Sequence, residues 1–146
     1  MAEVVDIMNE AVGHQQAGRH DEAVKSYRQL LQVDPGQAEV YVNIGIALRA
    51  QKRSGEAAAC YKQAIYLKPE FVEAYYNLAN VLKEQGRVAE AIENYEQAVR
   101  LRPEFSRAHY NLANALRSSG RLVDAIESYR RAIQLKSDYS IAYVNL

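Results

Sequence analysis

The most regularly spaced polar residues in this sequence are asparagines, whose amides form hydrogen bonds. Five of them lie 34 residues apart and are called the ladder asparagines here: Asn9, Asn43, Asn77, Asn111 and Asn145. Each amide offers two N–H donors and a carbonyl acceptor, which complement the acceptor and donor of a peptide bond. Asparagine is a mediocre helix former, so helix formation alone does not explain its recurrence. The spacing indicates a repeated hydrogen-bonding role, toward either an extended peptide or a neighbouring helix.

Other polar and aromatic residues recur at fixed offsets from these asparagines. Two amides follow by three residues, two tyrosines precede by one, and basic residues follow by six. These candidate binding residues are Asn80, Asn114, Tyr76, Tyr110, Arg49, Lys83 and Arg117. Such a surface would suit a peptide with acidic or hydroxyl side chains. For the three cations, a solvated helix face is the alternative interpretation.

Nothing in the sequence predicts an active site, a metal site or a cofactor site. His14, His20 and His109 fall in different repeats without the spacing of metal ligands. Cys60 stands beside a predicted core tyrosine without a basic cluster to activate its thiol. The chain also lacks a glycine-rich phosphate-binding loop. We therefore expect a protein that is not an enzyme and needs neither metal nor cofactor.

Composition narrows the class of partner. Lys plus Arg and Asp plus Glu each total 18, so the net charge is zero, which argues against nucleic acid or an anionic membrane as a bulk partner. The single cysteine rules out an internal disulfide. No run of about 18 apolar residues predicts a membrane span, and the acidic N-terminus does not resemble a secretory signal. A soluble cytoplasmic protein with a protein or peptide partner is the expectation.

The elements that position the candidates follow the same period, which has to be settled before single residues are interpreted. The frame makes residues 1–146 a single array, with repeats at 4–37, 38–71, 72–105 and 106–139 and a truncated fifth from residue 140. The chain's three prolines, Pro35, Pro69 and Pro103, occupy one closing slot, and Ser137 occupies it in the fourth repeat. Proline ends a helix because it lacks an N–H, so each repeat is predicted to end there.

Each repeat is predicted to contain two helices. The second helix has an alanine followed four residues later by a tyrosine, a helical stripe. The pairs are Ala23 and Tyr27, Ala57 and Tyr61, Ala91 and Tyr95, and Ala125 and Tyr129. The first helix carries a large residue, an apolar residue, a small residue and a leucine, as at Tyr75, Leu78, Ala79 and Leu82. Small residues let the helices approach closely, while the tyrosine rings fill the space beside them.

The turn between the two helices is predicted at a glycine in three repeats. These glycines are Gly18, Gly86 and Gly120, and Lys52 occupies the slot in the second repeat. Glycine there permits the left-handed conformation that often ends a helix. If Lys52 adopts a positive φ, the strain costs about 1 kcal/mol relative to glycine.

These anchors at period 34 resemble the tetratricopeptide repeat (TPR), and the resemblance covers essentially the whole chain. It implies an all-α fold: a TPR α-solenoid of antiparallel helix pairs stacked in a right-handed superhelix. In that family, the first helices line a concave groove, and the slot of the ladder asparagines faces it. Tyrosine or His109 stands where many members have tryptophan.

A narrower resemblance is to the repeats of O-linked N-acetylglucosamine transferases and bacterial TPR proteins. It is carried by the asparagine ladder, the NLAN-type first helices and the EAI-x-x-Y second helices. In those transferases, groove asparagines hold the backbone of the protein substrate. Asn43, Asn77, Asn111 and Asn145 match that slot, and Asn9 matches it in a more divergent repeat.

Three functions follow as hypotheses. The leading one is a non-catalytic scaffold that binds a protein or peptide in the groove through the ladder asparagines. The second is the substrate-recruiting arm of a larger modifying enzyme such as a glycosyltransferase. The third is a self-assembling scaffold, in which Tyr143 and Leu146 at the uncapped C-terminal end meet another copy.

Overall fold

The computed structural model describes residues 1–136, which form α-helices and contain no strand. The helices are α1 (Ala2–Gln16), α2 (His20–Val33), α3 (Ala38–Ala50), α4 (Ser54–Leu67), α5 (Val72–Glu84), α6 (Val88–Leu101), α7 (Ser106–Ser118) and α8 (Leu122–Leu135). The all-α class is therefore confirmed. We call α1, α3, α5 and α7 the first helices, and α2, α4, α6 and α8 the second helices.

The chain divides into two compact units, each described by itself. Unit 1 is Met1–Ala74 and unit 2 is Tyr75–Leu146, so the division falls inside α5. Residues 137–146 lie outside the described residues, and with them the end of the fourth repeat, the truncated fifth, Asn145, Tyr143 and Leu146. The single array over residues 1–146 stays a prediction.

Each first helix ends in the left-handed conformation that the turn glycines predict. The φ angles are 74° at Gly18, 60° at Lys52, 79° at Gly86 and 82° at Gly120. The residue after each turn donates its N–H to a carbonyl five residues back, for example from Arg53 to Leu48 at 2.9 Å. This bond caps the helix in the manner of a Schellman motif. The positive φ expected at Lys52 is confirmed.

In unit 1, α1 packs on α2, α2 on α3, and α3 on α4. Connections of three residues join the two helices of each pair, so the chain reverses direction and the pairs are antiparallel. Tyr27 and Tyr61 are fully buried. A Cβ added to Gly45 would lie 2.5 Å from the Tyr61 ring, so only glycine fits where α3 meets α4.

In unit 2, α7 packs against both α6 and α8. Tyr95 and Tyr129 are buried here in the same slot as Tyr27 and Tyr61. Their hydroxyls reach the paired first helices, where Tyr95 bonds to Asn80 of α5 and Tyr129 to Asn114 of α7. The tyrosine slot therefore supplies both core volume and a polar tie between the paired helices.

Candidate functional site

The candidate site is the surface of the first helices on which the ladder asparagines lie, called the ladder face. In unit 1 it belongs to α1 and α3, and in unit 2 to α5 and α7. Asn43, Asn77 and Asn111 are half-buried, whereas Asn9 is exposed. The three half-buried asparagines lie on helices whose other faces form the core, so their amides are at the boundary between core and solvent.

Of the four ladder asparagines in residues 1–136, three make no side-chain hydrogen bond there, and two of these three, Asn43 and Asn77, are half-buried. Among residues 1–136, the side chains of Asn43 and Asn77 make no hydrogen bond to the rest of the chain. Both remain partly accessible to solvent. A half-buried amide without a protein partner is satisfied by water or a ligand, because an unsatisfied polar group is costly. These two amides keep donors and acceptor available.

Asn111 behaves differently, because its amide ties α7 to α5 within unit 2. Its Nδ2 donates to the hydroxyl of Tyr76 at 2.8 Å and has a longer contact of 3.5 Å with Oδ1 of Asn80. Asn111 therefore fits the alternative in which a ladder asparagine bonds to a neighbouring helix. Its carbonyl oxygen, which makes no hydrogen bond within residues 1–136, can still accept one.

Asn80 and Asn114 serve the buried tyrosines. Asn80 is 8% exposed, and its Oδ1 accepts the Tyr95 hydroxyl proton at 2.5 Å. Asn114 accepts from Tyr129 in the same way. Burial raises the pKa of Tyr129, against the lowering effect of Arg117, so the hydroxyl stays protonated and remains a donor. The structure thus gives both asparagines a role in the fold that sequence analysis missed.

A signal for these bonds was present in the sequence. Asparagine precedes the core tyrosine by 15 residues in both repeats of unit 2, from Asn80 to Tyr95 and from Asn114 to Tyr129. In the first repeat, Gln15 accepts from the Tyr27 hydroxyl at 2.5 Å, from a slot three residues further along the first helix. The change of slot hides the common function from a comparison by period alone.

The two candidate tyrosines differ in exposure. Tyr76 is 8% exposed, and its ring lies 4.8 Å from that of Phe105 between centroids. The Arg107 guanidinium lies over the same ring at 5.8 Å from its centroid, a distance at which a cation is attracted to a ring face. Tyr110 is half-buried, with its ring 5.9 Å from Tyr129. Tyr76 therefore belongs mainly to the packing, and Tyr110 presents more surface to a ligand.

The three basic candidates lie in the last turns of the first helices. These are Arg49 in α3, Lys83 in α5 and Arg117 in α7. Cations stabilise the negative end of the helix macrodipole there. Arg49 and Lys83 are half-buried, and Arg117 is exposed. Their position gives them a structural function in addition to any attraction of an acidic ligand.

His109 and Cys60 are both half-buried, and burial shifts the pKa of each. Burial lowers the pKa of His109, whose Nε2–H donates to the Pro103 carbonyl at 2.8 Å. Burial raises the pKa of Cys60, which disfavours the reactive thiolate. Within residues 1–136, no three His, Cys, Asp or Glu side chains form a group that could hold a metal ion. None of the helices described is long and apolar enough to cross a membrane.

Comparison with protein families identifies the repeat. One tetratricopeptide repeat family model matches residues 15–52 and 47–86, and a second matches residues 76–140. Together the matches run from residue 15 to residue 140. A search of curated proteins finds no match to the chain.

Solved structures share the fold. A crystal structure of MamA has a TM-score of 0.89 at 26% identity, covering 98% of this chain and 79% of MamA. MamA from Desulfovibrio magneticus has the same TM-score at 21% identity, covering 97% of this chain and 80% of its own, a likeness that concerns the fold alone. An O-GlcNAc transferase from Thermobaculum terrenum matches with a TM-score of 0.75 at 28% identity. The match covers 89% of this chain and 26% of the transferase chain.

Proposed function

Because this chain belongs to the tetratricopeptide repeat family and has its all-α solenoid fold class, we propose that it is a non-catalytic scaffold for an extended peptide. The ladder asparagines hold the peptide backbone, while neighbouring polar, aromatic and basic residues contact its side chains. The observation that carries the proposal is that Asn43 and Asn77 make no hydrogen bond within residues 1–136. If these amides served only to fix helix geometry, they would be bonded to the fold.

The hydrogen-bond state of each asparagine sets what it offers to a ligand. Asn77 offers both donors and its acceptor, so it can pair with the C=O and the N–H of one peptide unit. The Nδ2 of Asn111 already faces Tyr76 and Asn80, so this residue offers its carbonyl oxygen. Packed helices lie about 10 Å apart, and an extended peptide advances about 3.3 Å per residue. Within unit 2, the two asparagines would therefore contact the backbone about three residues apart.

The basic candidate residues predict the charge of the proposed ligand. The basic residues Arg49, Lys83 and Arg117 would attract acidic side chains, and the asparagines would bind the backbone regardless of side chain. A net charge of zero gives no bulk attraction for nucleic acid or a membrane, so the proposed partner is a protein. The proposed location is the cytoplasm.

The test uses peptides selected on the whole chain from a phage-displayed random library. Synthetic copies of the selected peptides are titrated against the wild-type protein and against Asn77→Ala by fluorescence anisotropy. We expect affinity to fall about tenfold, because one or two hydrogen bonds to the backbone are lost. The matched control is Asn94→Ala, which removes an asparagine of second helix α6 that bonds to the Glu90 carbonyl. Equal affinity of Asn77→Ala and wild type would contradict the proposal.

A substrate-recruiting arm of a larger enzyme is a second candidate, favoured by the transferase match. That match spans about a quarter of the transferase chain, so it concerns repeats and no catalytic region. The intact mass of the protein from its source cells tests it. A mass well above 16.5 kDa supports an attached domain, and a mass at that value opposes one.

Self-association is a third candidate, favoured by apolar side chains on α8. Leu122, Val123 and Ile126 are 58%, 81% and 41% exposed, whereas Ile92, in the slot of Ile126 one repeat earlier, is 4% exposed. A second copy could cover this surface. Light scattering after size exclusion tests it: an oligomer that Val123→Lys converts to a monomer supports the candidate, and a wild-type monomer opposes it.

A further inference from the structure

One slot of the ladder face separates the two units chemically. Three residues after the ladder asparagine, both repeats of unit 2 have an amide, Asn80 or Asn114, bonded to a core tyrosine. In unit 1 the slot holds Val12 and Ile46. The Ile46 side chain is 38% exposed, whereas Asn80 is 8% exposed. At Ile46 the structure thus exposes a branched aliphatic side chain where unit 2 has an amide bonded to a core tyrosine.

Ile46 shares its face of α3 with the ladder asparagine. It follows Asn43 by three residues and Val42 by four, and both spacings place side chains on one side of a helix. Val42 is 6% exposed, so it forms the apolar base beside the more exposed Ile46. One turn earlier, Glu39 forms an ion pair with Lys68 at 3.2 Å. Along α3, the available amide of Asn43 therefore lies between this polar helix start and Ile46.

A single exposed isoleucine is common on protein surfaces and has no meaning by itself. Here it lies one turn from an amide that makes no hydrogen bond within residues 1–136. An extended peptide whose backbone bonds to that amide directs every second side chain toward the helix surface, because side chains alternate along an extended strand. An aliphatic ligand side chain would remove both itself and Ile46 from water.

We propose that Ile46, supported by Val42, is a specificity-determining contact that selects an aliphatic side chain in the bound peptide. The inference rests on the proposed function and deepens it by naming the ligand chemistry at unit 1. The peptide carries leucine, isoleucine, valine or methionine next to the residue whose backbone bonds to Asn43. The amide slot of unit 2 imposes no such preference.

The experiment pans a phage-displayed library of random 12-residue peptides against the whole chain and against Ile46→Asn. Asparagine fills this slot in both repeats of unit 2, so the variant should fold, and circular dichroism checks it. We expect one position of the wild-type peptides to be enriched in aliphatic residues and the variant pool to lose that enrichment. A synthetic wild-type-selected peptide should bind Ile46→Asn about tenfold more weakly.

Two further variants separate specificity from general effects. Val33→Asn removes a valine that is 64% exposed on second helix α2 of the same unit and should leave the enrichment intact. Ile46→Ala removes most of the contact without adding a polar group, which covers the case in which Ile46→Asn does not fold. The affinity of Ile46→Ala for the same peptide should also be lower than that of the wild type.

The outcomes distinguish this inference from the proposed function. The role of Ile46 is overturned if the binding of the selected peptides depends on Asn77 but the peptides show no aliphatic enrichment. It is also overturned if Ile46→Asn selects the same enrichment. Both results leave the proposed function of the ladder asparagines standing. Both proposals are overturned if replacing Asn43, Asn77 and Asn111 with alanine leaves the affinity for the selected peptides unchanged.

Discussion

At the scale of single residues, one asparagine slot performs two functions. Asn43 and Asn77 make no hydrogen bond within residues 1–136, whereas Asn111 donates to Tyr76. The bond of Asn111 depends on Tyr76 of α5, which supplies a hydroxyl acceptor within unit 2. Identical residues at a fixed period therefore need not be equivalent.

The bond between Tyr95 and Asn80 is predicted to stabilise unit 2. Tyr95→Phe leaves the buried carbonyl of Asn80 without its 2.5 Å partner, which should lower the free energy of unfolding by about 1–2 kcal/mol. Urea denaturation measures the change. Tyr66→Phe, at a ring that is 80% exposed, is the control and should have no effect. A Tyr95→Phe variant as stable as wild type would show that the bond contributes nothing.

His109 is predicted to make stability sensitive to acid. Burial lowers its pKa in the folded state below the value of about 6.5 in the unfolded chain, with Arg131 adding to the shift. The unfolded state therefore binds the proton more readily, and stability present above pH 6.5 falls as the pH drops through the folded pKa. The equivalent positions in the second and third repeats hold Tyr41 and Tyr75. His109→Tyr should therefore be tolerated, and it should weaken the pH dependence of stability between pH 7 and pH 5. Identical pH profiles would contradict the prediction.

At the scale of helices, the closest contact lies where α3 meets α4. Gly45→Ala would place a Cβ 2.5 Å from the fully buried Tyr61 ring and should destabilise the protein by about 1–3 kcal/mol. The control is Gly13→Ala in α1, whose Cβ meets nothing within 4 Å, and it should raise stability because alanine favours helix. A neutral Gly45→Ala would mean that the tyrosine ring moves aside without strain.

The turn between α3 and α4 is expected to be strained by a side chain. Lys52 has a φ of 60°, whereas the three equivalent turns use glycine. Lys52→Gly should therefore raise the free energy of unfolding by about 0.5–1 kcal/mol. Lys62→Gly, inside α4, should lower it by about 1 kcal/mol. A loss of stability at Lys52→Gly would show that the lysine makes a compensating contact.

At the scale of the whole molecule, the period of 34 residues was enough to predict the family, the helix pairs and the turns. It could not predict which ladder amides are already bonded, because the bond from Asn111 to Tyr76 depends on the spacing of α5 and α7. Asn80 and Asn114 illustrate the same limit: both were predicted to contact ligand, and both accept hydrogen bonds from core tyrosines. Whether they also contact a peptide stays a prediction.

The central claim is that Asn77 bonds to a ligand backbone, and a double-mutant cycle tests it most directly. A library-selected peptide and its analogues, each with one N-methylated amide, are titrated against wild type and Asn77→Ala by fluorescence anisotropy. N-methylation removes a backbone N–H and leaves the side chain unchanged. At one position of the peptide, N-methylation should lower the affinity for the wild type and leave the affinity for Asn77→Ala unchanged. This difference corresponds to a coupling free energy of about 1 kcal/mol. Additive losses at every position would contradict the account.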